Sequence, residues 1–195
     1  MTWSEIALIA LGALAVGLLL AWRGASRLDR LHRKVAASRI ALDAQLVRRA
    51  STAVELAASG ALDPASAILV ADAAYTASDA GPVTSPAAAL KMDGLGPERE
   101  RAESGLTATL REAMGSPESI QLLQAGPSGE VVAALAAAWY RATLARRFHN
   151  EAVAQTRRVR KLWYVRLFHL AGRAPMPRTV ELDDALPHAL EPNGG

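Results

Sequence analysis

From Ile6 to Trp22 the sequence IALIALGALAVGLLLAW is an unbroken apolar run, flanked by Trp3 on one side and closed by Trp22 on the other. As a helix this run is about 25 Å long, and including Thr2, Trp3 and Ser4 brings it near the ~30 Å of a hydrocarbon core. Indole rings favour the headgroup region, so their position at the two edges fits a membrane-spanning helix. Beyond the run the pattern turns amphipathic. Arg27 to Ser59 holds neither Gly nor Pro. Leu28, Leu31, Val35 and Leu42 recur at three-, four- and seven-residue intervals, and Ile40, Val47 and Val54 form a second heptad seam. This spacing predicts one long helix buried along more than one side. Gly60 supplies a stop, and Asp63 before Pro64 supplies an N-cap with Pro at the first helical position. A second helix to about Ser78 is predicted, with Ile68, Leu69, Ala73 and Tyr75 as its apolar surface.

Gly81, Pro82, Pro86, Gly94, Gly96 and Pro97 break the pattern and predict a long surface loop. Glu98 to Met114 resumes a helix, although Gly105 costs it about 1 kcal/mol relative to Ala. Gly115, Ser116 and Pro117 start a short helical turn around Ile120, Leu122 and Leu123, which Gly126 and Pro127 end. Ser128 is placed to cap a last long helix, with Glu130 near its positive end. Its stripe runs through Val131, Leu135, Ala138, Ala142, Ala145, His149, Ala152, Thr156, Val159 and Trp163. Alternating three- and four-residue steps make this a coiled-coil-like seam, and its small middle residues let the Arg27–Ser59 helix come close.

The expected fold is therefore all-α: an amino-terminal transmembrane helix followed by an antiparallel bundle of four helices. Residues 1–26 read as the anchor with its basic flank, 27–172 as the bundle, and 173–195 as a disordered acidic tail. As a docking peptide such a tail would offer Val180, Leu182 and Leu186 as apolar anchors, although a solvated tail is the expected state. Composition agrees with this. Among 195 residues there are 42 alanines, nine aromatics and no cysteine. The core must then come from closely approaching helices, and disulfides, thiol catalysis and cysteine-based metal sites are excluded. An Arg and Ala bias, with only three lysines, is of the kind that GC-rich bacterial genomes produce.

The net charge of +3 hides a strong segregation. Residues 23–49 carry eight basic and two acidic side chains, residues 50–140 four and eleven, and residues 141–178 ten and one. Two basic blocks about an acidic middle suggest that two chain segments meet one anionic surface. Arg23, Arg27, Arg30, Arg33 and Lys34 follow the apolar run directly, and positive flanks remain in the cytoplasm. The amino terminus is expected outside and the bundle inside, each well-placed cation contributing about 1 kcal/mol beside anionic lipid. A cleaved signal peptide is the competing reading, but Glu5 stands where a basic residue belongs and no A-x-A triplet directly follows the apolar run. An antiparallel last helix would return Arg157, Arg158, Arg160, Lys161, Trp163 and Arg166 to the bilayer, where Trp163, Tyr164 and Phe168 either lie in the interface or close the base of the bundle.

Two stretches, QLVRRA at Gln45–Ala50 and ARRFHNEAV at Ala145–Val153, resemble the LemA family of bacterial membrane proteins. Gln45, Leu46, Arg48 and Arg49 match its Q-L-x-R-R run. Arg147, Phe148, Asn150 and Val153 match its R-[FY]-Y-N-x-x-V run, with His149 at the usual Tyr. Glu55 and Leu56 depart from the Asn-Leu-Val that the family tends to carry, as do Thr156 and Arg157 from its second Tyr-Asn. The resemblance implies a single span and a helical bundle, and it implies no catalytic residues.

If Arg48, Arg49, Arg147 and Asn150 meet between the first and last helices, they form a buried polar layer for which Asp43, Glu55 and Glu151 are the available partners. Such a layer either specifies the fold or binds a ligand. His32, His149, His169 and His188 are scattered without i, i+4 pairing, so neither metal nor cofactor is expected. No phosphate-binding glycine loop and no nucleophile elbow occurs, and a non-enzyme is expected. The remaining classes are a membrane scaffold that binds an unidentified protein, with self-association compatible, and a protein that reads anionic lipid through its two basic ends. Nucleic acid is not expected, because the acidic middle opposes a broad footprint.

Overall fold

The computed structural model describes residues 2–81, 91–172 and 174–191. Every regular element among them is helical: α1 (Trp3–Ala58), α2 (Pro64–Asp79), α3 (Pro97–Met114), α4 (Pro117–Ala125), α5 (Gly129–Arg160) and α6 (Trp163–Leu167), with a 3-10 turn at His188–Leu190. The apolar run and the first bundle helix are one object. α1 continues for 56 residues without a break, a rod of about 84 Å. It is the one described helix long and apolar enough to cross a membrane, and no residue of its apolar window is buried inside the protein. Glu5 secures its start by accepting the Thr2 N–H at 2.9 Å, and Gly60, at φ +76°, takes the left-handed conformation that turns the chain.

Asp63 caps α2 as its sequence predicts, accepting the N–H groups of Ala65 and Ser66, each at 3.1 Å. Ser128 stands at the start of α5 but makes no side-chain capping bond. There the Gly126 carbonyl accepts the Gly129 N–H at 3.1 Å instead. Residues 59–63, 113–115 and 126–128 line one shallow cleft at the end of the bundle far from the apolar segment. α1 and α3 therefore end where α2 and α5 begin, which is an up-down-up-down arrangement. α1 packs most extensively on α5, then on α2, and α2 on α3.

The main core fills this far half. Ala50, Ala53 and Leu56 of α1 meet Val70, Ala74 and Ala77 of α2, Leu106, Leu110 and Met114 of α3, and Val132, Leu135 and Trp139 of α5. Toward the apolar segment the bundle thins to α1 and α5, joined by Leu42, Leu46 and Ala142, then by Val35, Ala152 and Val153. The expected stripe of α5 is buried from Leu135 to Val159 at nearly every predicted position. The second seam of α1 is not: Ile40 and Val47 are exposed and Val54 is half-buried. With α5 on one side and α2 on another, Ile40 and Val47 fall between the two, and only Val54 reaches the edge of the main core. α2 likewise buries its small residues and leaves Ile68, Leu69 and Tyr75 outside, Ile68 at 70% exposure.

Two expectations need correction. The loop before α3 is not wholly a surface loop: residues 82–90 lie outside the described ones, but Met92 and Gly94 are buried, Met92 in the α1–α5 seam. The tail expected to be disordered is, over residues 174–191, an extended strap laid along the bundle. It runs antiparallel to α5. Arg160 donates to the carbonyls of Pro175 and Ala174 at 2.6 and 2.8 Å, and Arg157 to that of Pro177 at 2.8 Å. Asn150 pairs with the main chain of Val180 in both directions, at 2.8 and 3.0 Å. Asp184 accepts a forked pair from Arg146 at 2.6 and 2.8 Å. Its carbonyl takes the Trp139 indole N–H at 3.0 Å. On the other side Asp183 reaches Ser104, Thr107 and Arg111 of α3. The strap thus closes the seam between α3 and α5, and Val180, Leu182, Leu186 and Leu190 fill it from within. It lacks helical periodicity because its partners are side chains of other elements.

Charge-assisted bonds of this kind contribute about 1.5–3 kcal/mol each. Asp184→Ala is expected to speed amide exchange across residues 178–190 by at least about tenfold while α1 and α5 keep their protection. Hydrogen-exchange mass spectrometry checks this.

Candidate functional site

At the end nearest the apolar segment, α5 stops at Arg160 and the chain turns through Lys161 and Leu162 into α6. Val165 of α6 is buried with Leu28, Leu31 and Val159, and Tyr164, Leu170 and Ala171 pack around them. This docking explains Gly24, which lies mid-helix at the junction of apolar run and bundle. A Cβ there would sit 2.7 Å from Leu170 Cδ1 and 3.3 Å from the Tyr164 ring, so a larger residue would make the Leu170 side chain shift, and glycine lets it seat as it is. Trp163 stacks edge-on against Tyr164, with ring centroids 5.9 Å apart. It points outward at 73% exposure, beside exposed Leu167 and Phe168. Trp163 therefore departs from the predicted α5 stripe, since the helix breaks before reaching it.

The expected lipid or partner contacts divide into two sets. Arg27, Arg30, Arg33 and Lys34 of α1 are exposed, as are Arg158, Lys161, Trp163 and Arg166 on the returning segment. Arg33 is paired with Asp29 at 2.6 Å and Lys34 reaches Gln155 at 3.4 Å. Arg157 and Arg160 differ. Both are half-buried and spend their guanidinium donors on strap carbonyls.

The residues matching the family runs do not act as one layer. Leu46 and Val153 are core, Gln45 and Asn150 are half-buried, and Arg48, Arg147 and Phe148 are exposed, Phe148 at 60%. Only Arg49 is a buried charge among them, and it turns to α3 rather than to Asp43, Glu55 or Glu151. Its guanidinium donates to the Glu103 carboxylate at 2.7 Å, the Glu103 carbonyl at 2.9 Å and the Thr107 hydroxyl at 3.0 Å. It also lies 5.6 Å from the centre of the Trp139 ring, a favourable cation–π placement. The other Glu103 oxygen accepts Arg99 Nε at 2.8 Å, and Arg99 extends to Asp43 at 3.6 Å. Glu55 and Glu151 are exposed. The expected layer between the first and last helices does not form: the buried charges join α1 to α3, Asn150 serves Val180 of the strap, and Arg39 pairs with Asp93 at 2.9 Å. The Arg99–Glu103 pair has an i, i+4 spacing legible on α3, whereas Asp184 and the links of Arg49 to Glu103 and Thr107 join residues far apart in the chain.

His149 is the one buried imidazole. Ser38 gives its hydroxyl proton to the Val35 carbonyl at 2.9 Å, so its oxygen accepts from His149 Nδ1 at 3.0 Å. Burial pulls the imidazole down to about 4, the Arg39 charge acting the same way and main-chain carbonyls at Arg178 and Val35 opposing. Burial also lowers His32, with Arg160 adding to it and Asp29 opposing. Among the described residues no group of three or more His, Asp or Glu side chains is placed to hold a metal ion.

Arg49→Ala leaves the Glu103 carboxylate buried with half its partners, and a loss of about 3–5 kcal/mol in unfolding free energy is expected. Chemical denaturation of the full chain in detergent reads it. A histidine held neutral by the fold but free to ionise when unfolded makes stability fall as pH drops below about 6.5, until both states are protonated near 4. His149 is expected to contribute roughly 3 kcal/mol of such loss. In His149→Gln, the difference in unfolding free energy between pH 7 and pH 4 should shrink by that amount.

No family model, no curated protein and no solved structure matches the chain, so its function has to be read from its residues and their geometry.

Proposed function

We propose that the chain is a membrane-anchored, non-catalytic helical bundle of the LemA type, an interaction module carried on the inner face of a bacterial membrane. The continuity of α1 is the observation that carries this reading. A span joined to the bundle by a flexible linker would only tether it, whereas one rod through residues 3–58 holds the bundle upright. The turn after α1 then stands about 54 Å from Trp22 along the axis. The basic flank directs that end to the cytoplasm. Ile68, Leu69 and Tyr75 on α2 are exposed together on the bundle surface, an apolar face suited to a protein partner or a second copy.

A second reading, contact with anionic lipid through both basic ends, is favoured by the position of α6. Its docking on α1 beside Gly24 sets Trp163, Tyr164 and Phe168 next to the last apolar turns of α1. The two readings are compatible, one concerning each end of the rod.

The chain has no cysteine, so single-cysteine variants report topology directly. Tyr75→Cys is expected to react with a membrane-impermeant maleimide only after the cells are opened, and Thr2→Cys in intact cells. Reaction of Tyr75→Cys in intact cells would reverse the orientation. For the interaction surface, a partner that survives high salt should be retained by the wild-type chain and lost from the Ile68→Glu, Tyr75→Glu double variant. That variant should change stability by less than about 1 kcal/mol, since both side chains lie on the surface.

A further inference from the structure

The docking of α6 leaves a cleft of about 910 Å³ between the returning segment and the upper turns of the apolar run. One wall is aromatic, from Trp163, Tyr164 and Phe168. The other is α1 itself, and it changes character along its length: Val16, Gly17 and Leu20 line the end within the apolar run, while Arg23, Arg27 and Arg30 line the end within the basic flank. The three arginines are spaced four and three apart and so share a helix face. None of them has an ion-pair partner among the described residues, in contrast to Arg33 beside them.

We propose that this cleft is a binding site for a single anionic diacyl phospholipid. Its phosphate lies among Arg23, Arg27 and Arg30, and its acyl chains run down α1 past Val16, Gly17 and Leu20 beneath Trp163 and Phe168. Three observations select this occupant. The apolar and cationic halves succeed one another along one helix in the order of acyl chain and headgroup. Unpaired guanidinium groups match a phosphate in charge and in donor geometry. Indole and phenyl rings at the transition are amphipathic or apolar surfaces of the kind that bury acyl chains near the interface. The proposal rests on reading α1 as the span, and goes beyond a diffuse attraction of basic ends to anionic lipid because it predicts one bound molecule at a defined place.

Glycine 17 provides the decisive variant. A Cβ there meets nothing within 4 Å and Gly17 lines the cleft, so Gly17→Leu places its added bulk in that space. The test is native mass spectrometry of the full chain in a mild neutral detergent, with phosphatidylglycerol, phosphatidylcholine or inorganic phosphate added in turn. One phosphatidylglycerol per chain should be retained, and neither phosphatidylcholine nor inorganic phosphate. Arg27→Gln with Arg30→Gln should weaken retention by about thirtyfold, the effect of two surface cations beside an anionic headgroup. Gly17→Leu should weaken it by at least about tenfold, with the helical circular dichroism of both variants unchanged. Arg158→Gln with Lys161→Gln, cations outside the cleft, should leave it unaltered. Equal retention by Gly17→Leu and wild type, or equal losses from both arginine-rich sets, would overturn the site in favour of diffuse attraction. Carbonate extraction of membranes separates this from the span reading. A chain that stays in the membrane yet retains no lipid refutes the cleft alone, whereas a chain released by carbonate refutes both.

Discussion

The continuous backbone hydrogen bonding of α1 is the constraint on which the remaining architecture depends. Because the apolar segment and the bundle share one axis, every helix that packs on α1 is oriented relative to the apolar segment as well. α5 returns antiparallel along it, and the small side chains Ala138, Ala142, Ala145 and Ala152 let the two approach closely. The return of α5 places α6 beside the end of the apolar run, and Gly24 allows it to seat there. A residue that by propensity weakens a helix stands at the point where the Leu170 and Tyr164 side chains close on α1.

Hydrophobic burial along α1 and α5 does not by itself select which neighbours fill the far half of the bundle. Arg49 does. Removed wholly from solvent, its charge is satisfied only by Glu103 and Thr107 of α3 and the ring of Trp139. That geometry holds α3 at one height against α1, and Arg99 to Asp43 repeats the link. Thr107 and Trp139 in turn bond the main chain at Asp183 and Asp184. A single polar cluster therefore sets the register of α1, α3 and α5 and seats the strap, at a desolvation cost that apolar residues would not incur.

Much of this was legible in the sequence wherever a residue's role depends on its near neighbours. The apolar run, the Asp63 cap, the Gly60 stop and the α5 stripe follow from spacing and from local backbone needs. The strap did not, because its order comes from Arg146, Asn150, Arg157 and Arg160, whose donors reach the Asp184 carboxylate and main-chain carbonyls 14 to 38 residues away. Of these, Arg157 and Arg160 read from sequence as part of a lipid-facing block, since charge alone does not reveal whether a guanidinium faces solvent or a main-chain carbonyl. Ile68, Leu69 and Tyr75, the apolar surface the sequence assigns to this helix, lie outside the core: α2 turns its alanines inward to sit close to α1. Arg48 and Arg49 are adjacent and chemically identical, yet one is solvated and the other fully buried, a difference set by the 100° between successive helix positions.

The claim that one rigid helix carries the bundle on its span is tested most directly by a distance. Spin labels at Leu18→Cys and Arg48→Cys, both exposed on α1, lie 30 residues apart, and an unbroken helix between them puts them about 45 Å from one another. Pulsed dipolar spectroscopy of the full chain in lipid nanodiscs is expected to give one narrow distribution centred near that value. A broad distribution, or a centre shorter by more than about one helical turn of roughly 5 Å, would mean that α1 bends or breaks between span and bundle, and would contradict the account.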